Sequence, residues 1–61
     1  YRPLPSAIAL MAECYHFLGE DDKSMDYYKQ AYYISKAIGY EKGVLLVLSE
    51  TQKYFGDNFY I

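Results

Sequence analysis

Residues 8–31 read IALMAECYHFLGEDDKSMDYYKQA, from Ile8 to Ala31, and the fold turns on how this stretch is punctuated. Gly19 divides it. On its N-terminal side Ile8, Met11, Tyr15 and Leu18 recur at helical spacing, with Ala7, Leu10, Cys14 and Phe17 as a second apolar stripe beside them. On its C-terminal side Met25, Tyr28, Ala31 and Tyr32 line one face. Tyr27, Ala31, Ile34 and Ile38 line another, leaving Asp26, Lys29, Gln30 and Tyr33 as the wetter remainder. A helix with two apolar stripes needs two neighbours, so the spacing predicts two amphipathic helices hinged at Gly19 and packed in a larger set.

Working outward, Tyr1 to Ser6 is a lead-in holding both prolines. Proline is tolerated in a helix only in its first turn, which puts Pro5 at or just before the start of a helix whose periodic part is Ala7 to Leu18. Gly19 supplies the left-handed position that ends many helices. Glu20-Asp21-Asp22 then favours the unpaired N–H groups of the next helix, with Asp21 or Asp22 as the expected cap. That second helix is expected from about Lys23 to Ile38, with Lys36 near its negative end and Gly39 as its stop.

Tyr40 to Gly43 reads as a short connection, and a third helix is expected over Val44 to Phe55, with Leu45, Leu48, Gln52 and Phe55 facing inward. An offset of 37 positions carries Ile8 onto Leu45, Met11 onto Leu48 and Ala12 onto Ser49. It also carries Phe17 onto Tyr54, Leu18 onto Phe55, Gly19 onto Gly56 and Glu20 onto Asp57. The third helix is thus a second copy of the first, and Asp57 to Ile61 falls where a second copy of the middle helix would begin. The expected fold is all-α: an antiparallel helical hairpin plus a third helix. Residues 1–39 form the first helix pair, and residues 40–61 form the first helix of a second pair whose second helix is truncated.

Sixty-one residues make one small unit. A chain of about 60 residues buries only about 60% of its unfolded surface, so its core is thin. With 52% hydrophobic and 23% charged residues and a net charge of −2, the chain has the balance of a globular unit, neither a disordered tail nor a nucleic-acid binder. The aliphatic run Val44 to Leu48 is far short of the ~20 residues that span a bilayer, and no signal-like segment opens the sequence. One cysteine, Cys14, excludes an internal disulfide and any zinc site built on cysteine pairs, and a reducing, cytoplasmic setting is expected. Starting at Tyr1 and stopping just after an apparent helix start, the chain reads as a fragment of a longer protein.

The spacing of Ile8, Met11, Ala12, Tyr15, Gly19, Ser24, Tyr28 and Ala31 resembles the tetratricopeptide repeat family, over one helical hairpin and the first helix of the next. Small Ala12 allows close approach of the facing helix, Tyr15 and Tyr28 fill the space between helices, and Ala31 sits where the second helix passes closest. Three positions depart from the pattern: Ile8 for the usual tryptophan, Ser24 for the first alanine of the second helix, and Lys36 where a proline is expected. The missing proline and the 37-residue offset, against about 34 in the standard repeat, suggest a longer second helix. With the Gly39-x-x-x-Gly43 connection, that form looks like the extended repeats of cell-polarity scaffolds and of bacterial peptide-sensing regulators. An unrelated antiparallel three-helix bundle would show the same three helices, but not the match of the first with the third.

Several residues invite a chemical reading. Glu13-Cys14-Tyr15-His16 is a Glu-x-x-His sequence on a helix, the spacing carboxylate-bridged di-iron bundles use for two ligands. Such a site needs a second histidine, but the equivalent positions hold Glu50 and Lys53. No metal and no cofactor is expected. His16 lacks a nucleophile and an orienting partner for general-base work, so no enzyme is expected and His16 reads as a half-exposed helix histidine. Cys14 lies on an apolar stripe and reads as core. Nine tyrosines offer stacking surfaces, yet the six basic residues are scattered singly, which argues against a nucleic-acid groove. The acidic run Glu20 to Asp22 reads as helix capping, because the calcium-loop pattern is missing.

What the resemblance implies is a binding surface. By the family's spacing the first helix would present Ser6, Ala9, Glu13, His16 and Phe17 to a concave groove, and the third helix Gly43, Leu46, Glu50, Lys53 and Tyr54. Stacking the two sets Glu13 beside Glu50, His16 beside Lys53 and Phe17 beside Tyr54. Family members that clamp a C-terminal carboxylate use lysine and asparagine where this chain has Ala9, Glu13, Leu46 and Glu50, so that clamp is absent from these helices. The expected partner is a protein or peptide with apolar anchors and a basic group near Glu13 and Glu50. Self-association through the exposed face of the third helix is also expected, because repeat arrays generally need about three units to stand alone. A scaffold or adaptor role leads, with the sensor repeat of a bacterial peptide-responsive transcriptional or signalling regulator as the alternative.

Overall fold

The computed structural model describes residues 4–59, which form three α-helices, α1 (Pro5–Phe17), α2 (Asp21–Ile38) and α3 (Glu41–Phe55), followed by a 3-10 turn, Gly56–Asn58. The first three residues of the lead-in, and Tyr60 and Ile61 of the expected fourth helix, lie outside the described residues. Pro5 is the first residue of α1, where its missing N–H would have been unpaired and its fixed φ already suits the helix. Leu4 precedes it without a side-chain cap.

Gly19, at φ 82°, closes α1 with two bonds that use orphan carbonyls: its own N–H donates to His16 O at 3.0 Å, and the Glu20 N–H to Tyr15 O at 2.9 Å. Gly39, at φ 72°, repeats the arrangement at the end of α2, with the Tyr40 N–H donating to Ser35 O at 2.8 Å. The start of α2 differs from expectation. Glu20 holds the cap position, its side chain makes no capping bond, and Asp21 and Asp22 sit inside the first turn, acting on the dipole rather than as caps. α3 begins at Glu41, three positions earlier than expected, because the N–H groups of Gly43 and Val44 already bond to Tyr40 O.

The helices run as antiparallel neighbours. Leu4, Pro5 and Ser6 lie beside Ile38, Gly39 and Tyr40, while the C-terminal end of α1 meets the start of α2 at His16 and Asp21. α2 packs against both others. At the α1–α2 seam Ser24 Oγ donates to the Ala12 carbonyl at 2.6 Å, and the rings of Tyr15 and Tyr27 stack at 5.3 Å. Both Ser24 and Ala12 are fully buried, and the approach needs two small residues. At the α2–α3 seam Ser35 meets Gly43, where a Cβ would collide with the serine side chain. The core is Ile8, Ala9, Ala12, Tyr28, Ala31, Val47 and Phe55, with Tyr28 spanning from α2 to α3.

The stripes resolve unevenly. Of the inward set expected for α3 only Phe55 is buried; Leu45, Leu48 and Gln52 face outward, and α3 seats on α2 through Gly43, Val47, Thr51 and Phe55. In α1, Ile8 and Ala12 are buried, whereas Met11 and Leu18 are exposed, as is the whole second stripe of Ala7, Leu10, Cys14 and Phe17. Cys14 is therefore a surface residue, not core. The reason is the same throughout: hydrophobicity marks stripes that can be covered, and α1 and α3 each turn only part of their apolar surface to α2 and to one another. After Gly56 the chain makes a 3-10 turn and Phe59 is extended (φ −120°, ψ 126°), so no α-helix starts at Asp57 within the described residues.

Candidate functional site

α1 and α3 lie side by side against α2, and their shared edge carries most of the polar chemistry. Tyr54 on α3 donates its hydroxyl to Glu13 Oε2 on α1 at 2.6 Å. Tyr28, fully buried on α2, donates to Glu50 Oε1 on α3 at 2.7 Å. Each bond ties a carboxylate to a different helix from its own, so the acid pair is held at fixed places above the core.

The surroundings of both tyrosines favour the protonated hydroxyl. The hydrogen bond to Glu13 comes first for Tyr54, followed by desolvation and the charges of Glu13 and Glu50, and its hydroxyl is pushed up from 10.0 to about 12. Burial is the main cause for Tyr28, reinforced by the hydrogen bond and charge of Glu50 and by the charge of Glu13, and it raises that hydroxyl further still. That both carboxylates act on both tyrosines is the sign of their proximity.

Around Tyr54 the rings gather. His16 stacks on it at 4.5 Å, Phe17 meets it edge-on at 5.6 Å, and Lys53 Nζ lies 5.3 Å from its centroid. Phe17 remains 69% exposed in this cluster, an aromatic edge open to solvent. The other nitrogen contact of His16 is across the Gly19 turn, where Nδ1 lies 2.9 Å from Asp21 Oδ1.

Of the residues expected to share this surface, Glu13, His16, Phe17 and Lys53 all meet Tyr54, while Glu50 is bonded to Tyr28 instead. Phe17 and Tyr54 touch as expected. His16 and Lys53 meet only through the Tyr54 ring, the histidine being drawn to Asp21 instead. Leu46 is at the exposed edge of α3. Ala9 is the exception: at 1% exposure it belongs to the core and has no surface to offer a ligand. Tyr28 and Asp21 were not foreseen as partners of this surface. The Tyr28 bond spans 22 positions and has no local signal, whereas His16 and Asp21, five apart across a glycine turn, are close enough for the pairing to be sought in sequence.

Glu13 and His16 do not converge on a common point as metal ligands would, since one is bonded to Tyr54 and the other to Asp21. Among the described residues no three His, Cys, Asp or Glu side chains are grouped to hold a metal ion. Neither Glu13 nor Glu50 forms an ion pair with a basic side chain among the described residues; each has a tyrosine hydroxyl as its hydrogen-bond partner. No helix of the described residues is long and apolar enough to cross a membrane.

No family model matches the chain, and no curated protein or solved structure matches it. The chain is a small all-α unit of three helices, consistent with a helical-repeat type of packing, with exposed apolar and aromatic residues fit for protein contact.

Proposed function

We propose that the chain is a non-enzymatic module that binds a protein or peptide, a piece of an extended tetratricopeptide-like helical array with residues 1–39 as one helix pair and 40–61 opening the next. The observation that carries the reading is the edge between α1 and α3. The exposed Phe17 ring packs on Tyr54 and His16 beside two carboxylates that have tyrosine partners and, among the described residues, no cation. An exposed aromatic beside fixed acceptors suits a segment with an apolar or aromatic anchor followed by arginine or lysine. The cation would bond to the free oxygens of Glu13 and Glu50, and the anchor would cover Phe17. Leu46 and Lys53 flank the path, Lys53 favouring an acidic residue further along the ligand.

Selection from a random peptide library against the immobilised chain tests this. Enriched sequences are expected to pair a hydrophobic residue with a basic one, and to lose binding to a chain carrying Glu13→Lys and Glu50→Lys. Enrichment of acidic sequences, or affinity indifferent to the double substitution, contradicts the proposal.

A further inference from the structure

Glu13 and Phe17 are one turn apart on α1, and the 37-position offset carries them onto Glu50 and Tyr54 of α3. Residues four apart share a helix face, so each outer helix sets an aromatic ring one turn beyond a carboxylate. Tyr54 fastens the two copies together. Its hydroxyl is on Glu13 Oε2 at 2.6 Å, and its ring meets that of Phe17 at 5.6 Å, nearly perpendicular.

The two rings are not equally available. Tyr54 is stacked by His16 at 4.5 Å and has the Lys53 ammonium 5.3 Å from its centroid. Phe17, with His16 and Tyr54 as aromatic neighbours, keeps 69% of its surface exposed. A ligand that seeks a π face at this edge therefore finds it on Phe17. The carboxylates are held in advance, Glu13 by a hydroxyl from α3 and Glu50 by one from α2. Lys53 stands three positions from Glu50, a spacing at which a helix allows ion pairs, yet among the described residues it pairs with neither carboxylate.

We propose that the basic residue taken by this edge is arginine rather than lysine, its guanidinium packed against the Phe17 ring beside the apolar anchor and its N–H groups divided between Glu13 and Glu50. The inference rests on the peptide-binding function proposed above and names the charged group of the ligand. An ammonium is a compact, strongly hydrated point charge. A guanidinium is planar, more weakly hydrated and carries five N–H donors in a fixed fork, so it stacks on an aromatic ring while its edge still donates. One exposed ring beside acceptors on two different helices uses both properties at once. Lysine meets them one at a time: Lys53, already at the edge, rests over a ring and takes no carboxylate. Because tyrosine hydroxyls fix the acceptors before the ligand arrives, the fork loses little freedom in reaching them.

Two random hexapeptide libraries, one built without lysine and one without arginine, are panned on the immobilised 61-residue chain. The most enriched basic peptide is then synthesised with a fluorophore in arginine and lysine forms, and both are titrated. The arginine form is expected to bind at least about fivefold more tightly. Phe17→Leu keeps an apolar side chain and removes the π face, and should bring the two forms to within about twofold of each other. Both forms lose the anchor's aromatic contact alike in that variant, so the ratio isolates the guanidinium. Phe17 is exposed, and circular dichroism of the variant should match that of the unaltered chain.

Equal affinity of the two forms, or a basic residue enriched only as lysine, overturns the proposal and leaves the peptide-binding function standing. An arginine preference that survives both Phe17→Leu and Glu13→Gln overturns it as well, because the guanidinium is then held elsewhere. If neither library enriches a basic residue, the proposal and the function it rests on fall together.

Discussion

Tyr54 and Glu13, 41 positions apart, join α3 to α1 through a 2.6 Å hydrogen bond, and with it the hydroxyl of one helix fixes the carboxylate of the other at the edge of the candidate surface. The bond predicts an alkaline response. A tyrosine whose folded pKa is raised stabilises the fold fully below its unfolded pKa, and that contribution is lost as pH rises through the folded value. For Tyr54 the window runs from 10 to about 12, and for Tyr28 it begins at 10 and extends higher. Stability followed by denaturant melts should therefore fall with pH above 10, and Tyr28→Phe should flatten that fall. In ultraviolet titration Tyr28→Phe and Tyr54→Phe should each remove a late-ionising phenol.

Tyr28→Phe is also informative at neutral pH. It keeps the buried ring against Phe55 and removes only the hydroxyl that reaches Glu50. A hydrogen bond to a charged acceptor typically contributes about 1.5 kcal/mol or more, and a loss of that order is expected in urea melts. A loss close to that of Tyr28→Ala would instead show that the ring is no longer seated.

The meeting of Ser35 and Gly43 gives a pair of opposite expectations. A Cβ at Gly43 would collide with Ser35 and lie 2.8 Å from Tyr40 Cδ2, so Gly43→Ala should destabilise by about 1–3 kcal/mol. Ser35 Oγ is buried without a hydrogen-bond partner, so Ser35→Ala should raise stability by about 1 kcal/mol. Thermal melts of the two single variants and of the double variant measure both, and the double should recover part of the Gly43→Ala loss.

Much of this architecture is legible in sequence, and the misses have a common cause. Pro5, Gly19 and Gly39 marked the helix ends because their backbone requirements are local. Ala12 marked the α1–α2 seam because close approach demands a small side chain, whereas Ser24, which bonds to the Ala12 carbonyl there, stood in the sequence only as a departure from the repeat's alanine. Leu45 and Leu48 misled as the inward face of α3, since apolar character shows what could be covered and not what is. The row that seats on α2 was hidden by its composition, a glycine and a threonine at Gly43 and Thr51 that matter for their size. The Glu13–Tyr54 and Glu50–Tyr28 ties depend on how three helices meet, and nothing local announces them.

Cys14 is a direct check on that reading. Exposed on the outer row of α1, it should react with a thiol reagent in the native chain without denaturant, with no change in helix content by circular dichroism. Slow labelling that needs denaturant would restore it to the core.

The central claim is that the α1–α3 edge is where a partner binds, and amide-shift mapping of the labelled chain with a peptide from the library selection tests it most directly. Perturbations concentrated at Glu13, His16, Phe17, Leu46, Glu50 and Lys53 are the expected result. Perturbations confined to the outer face of α2, at Asp26, Lys29, Gln30 and Tyr33, would contradict it.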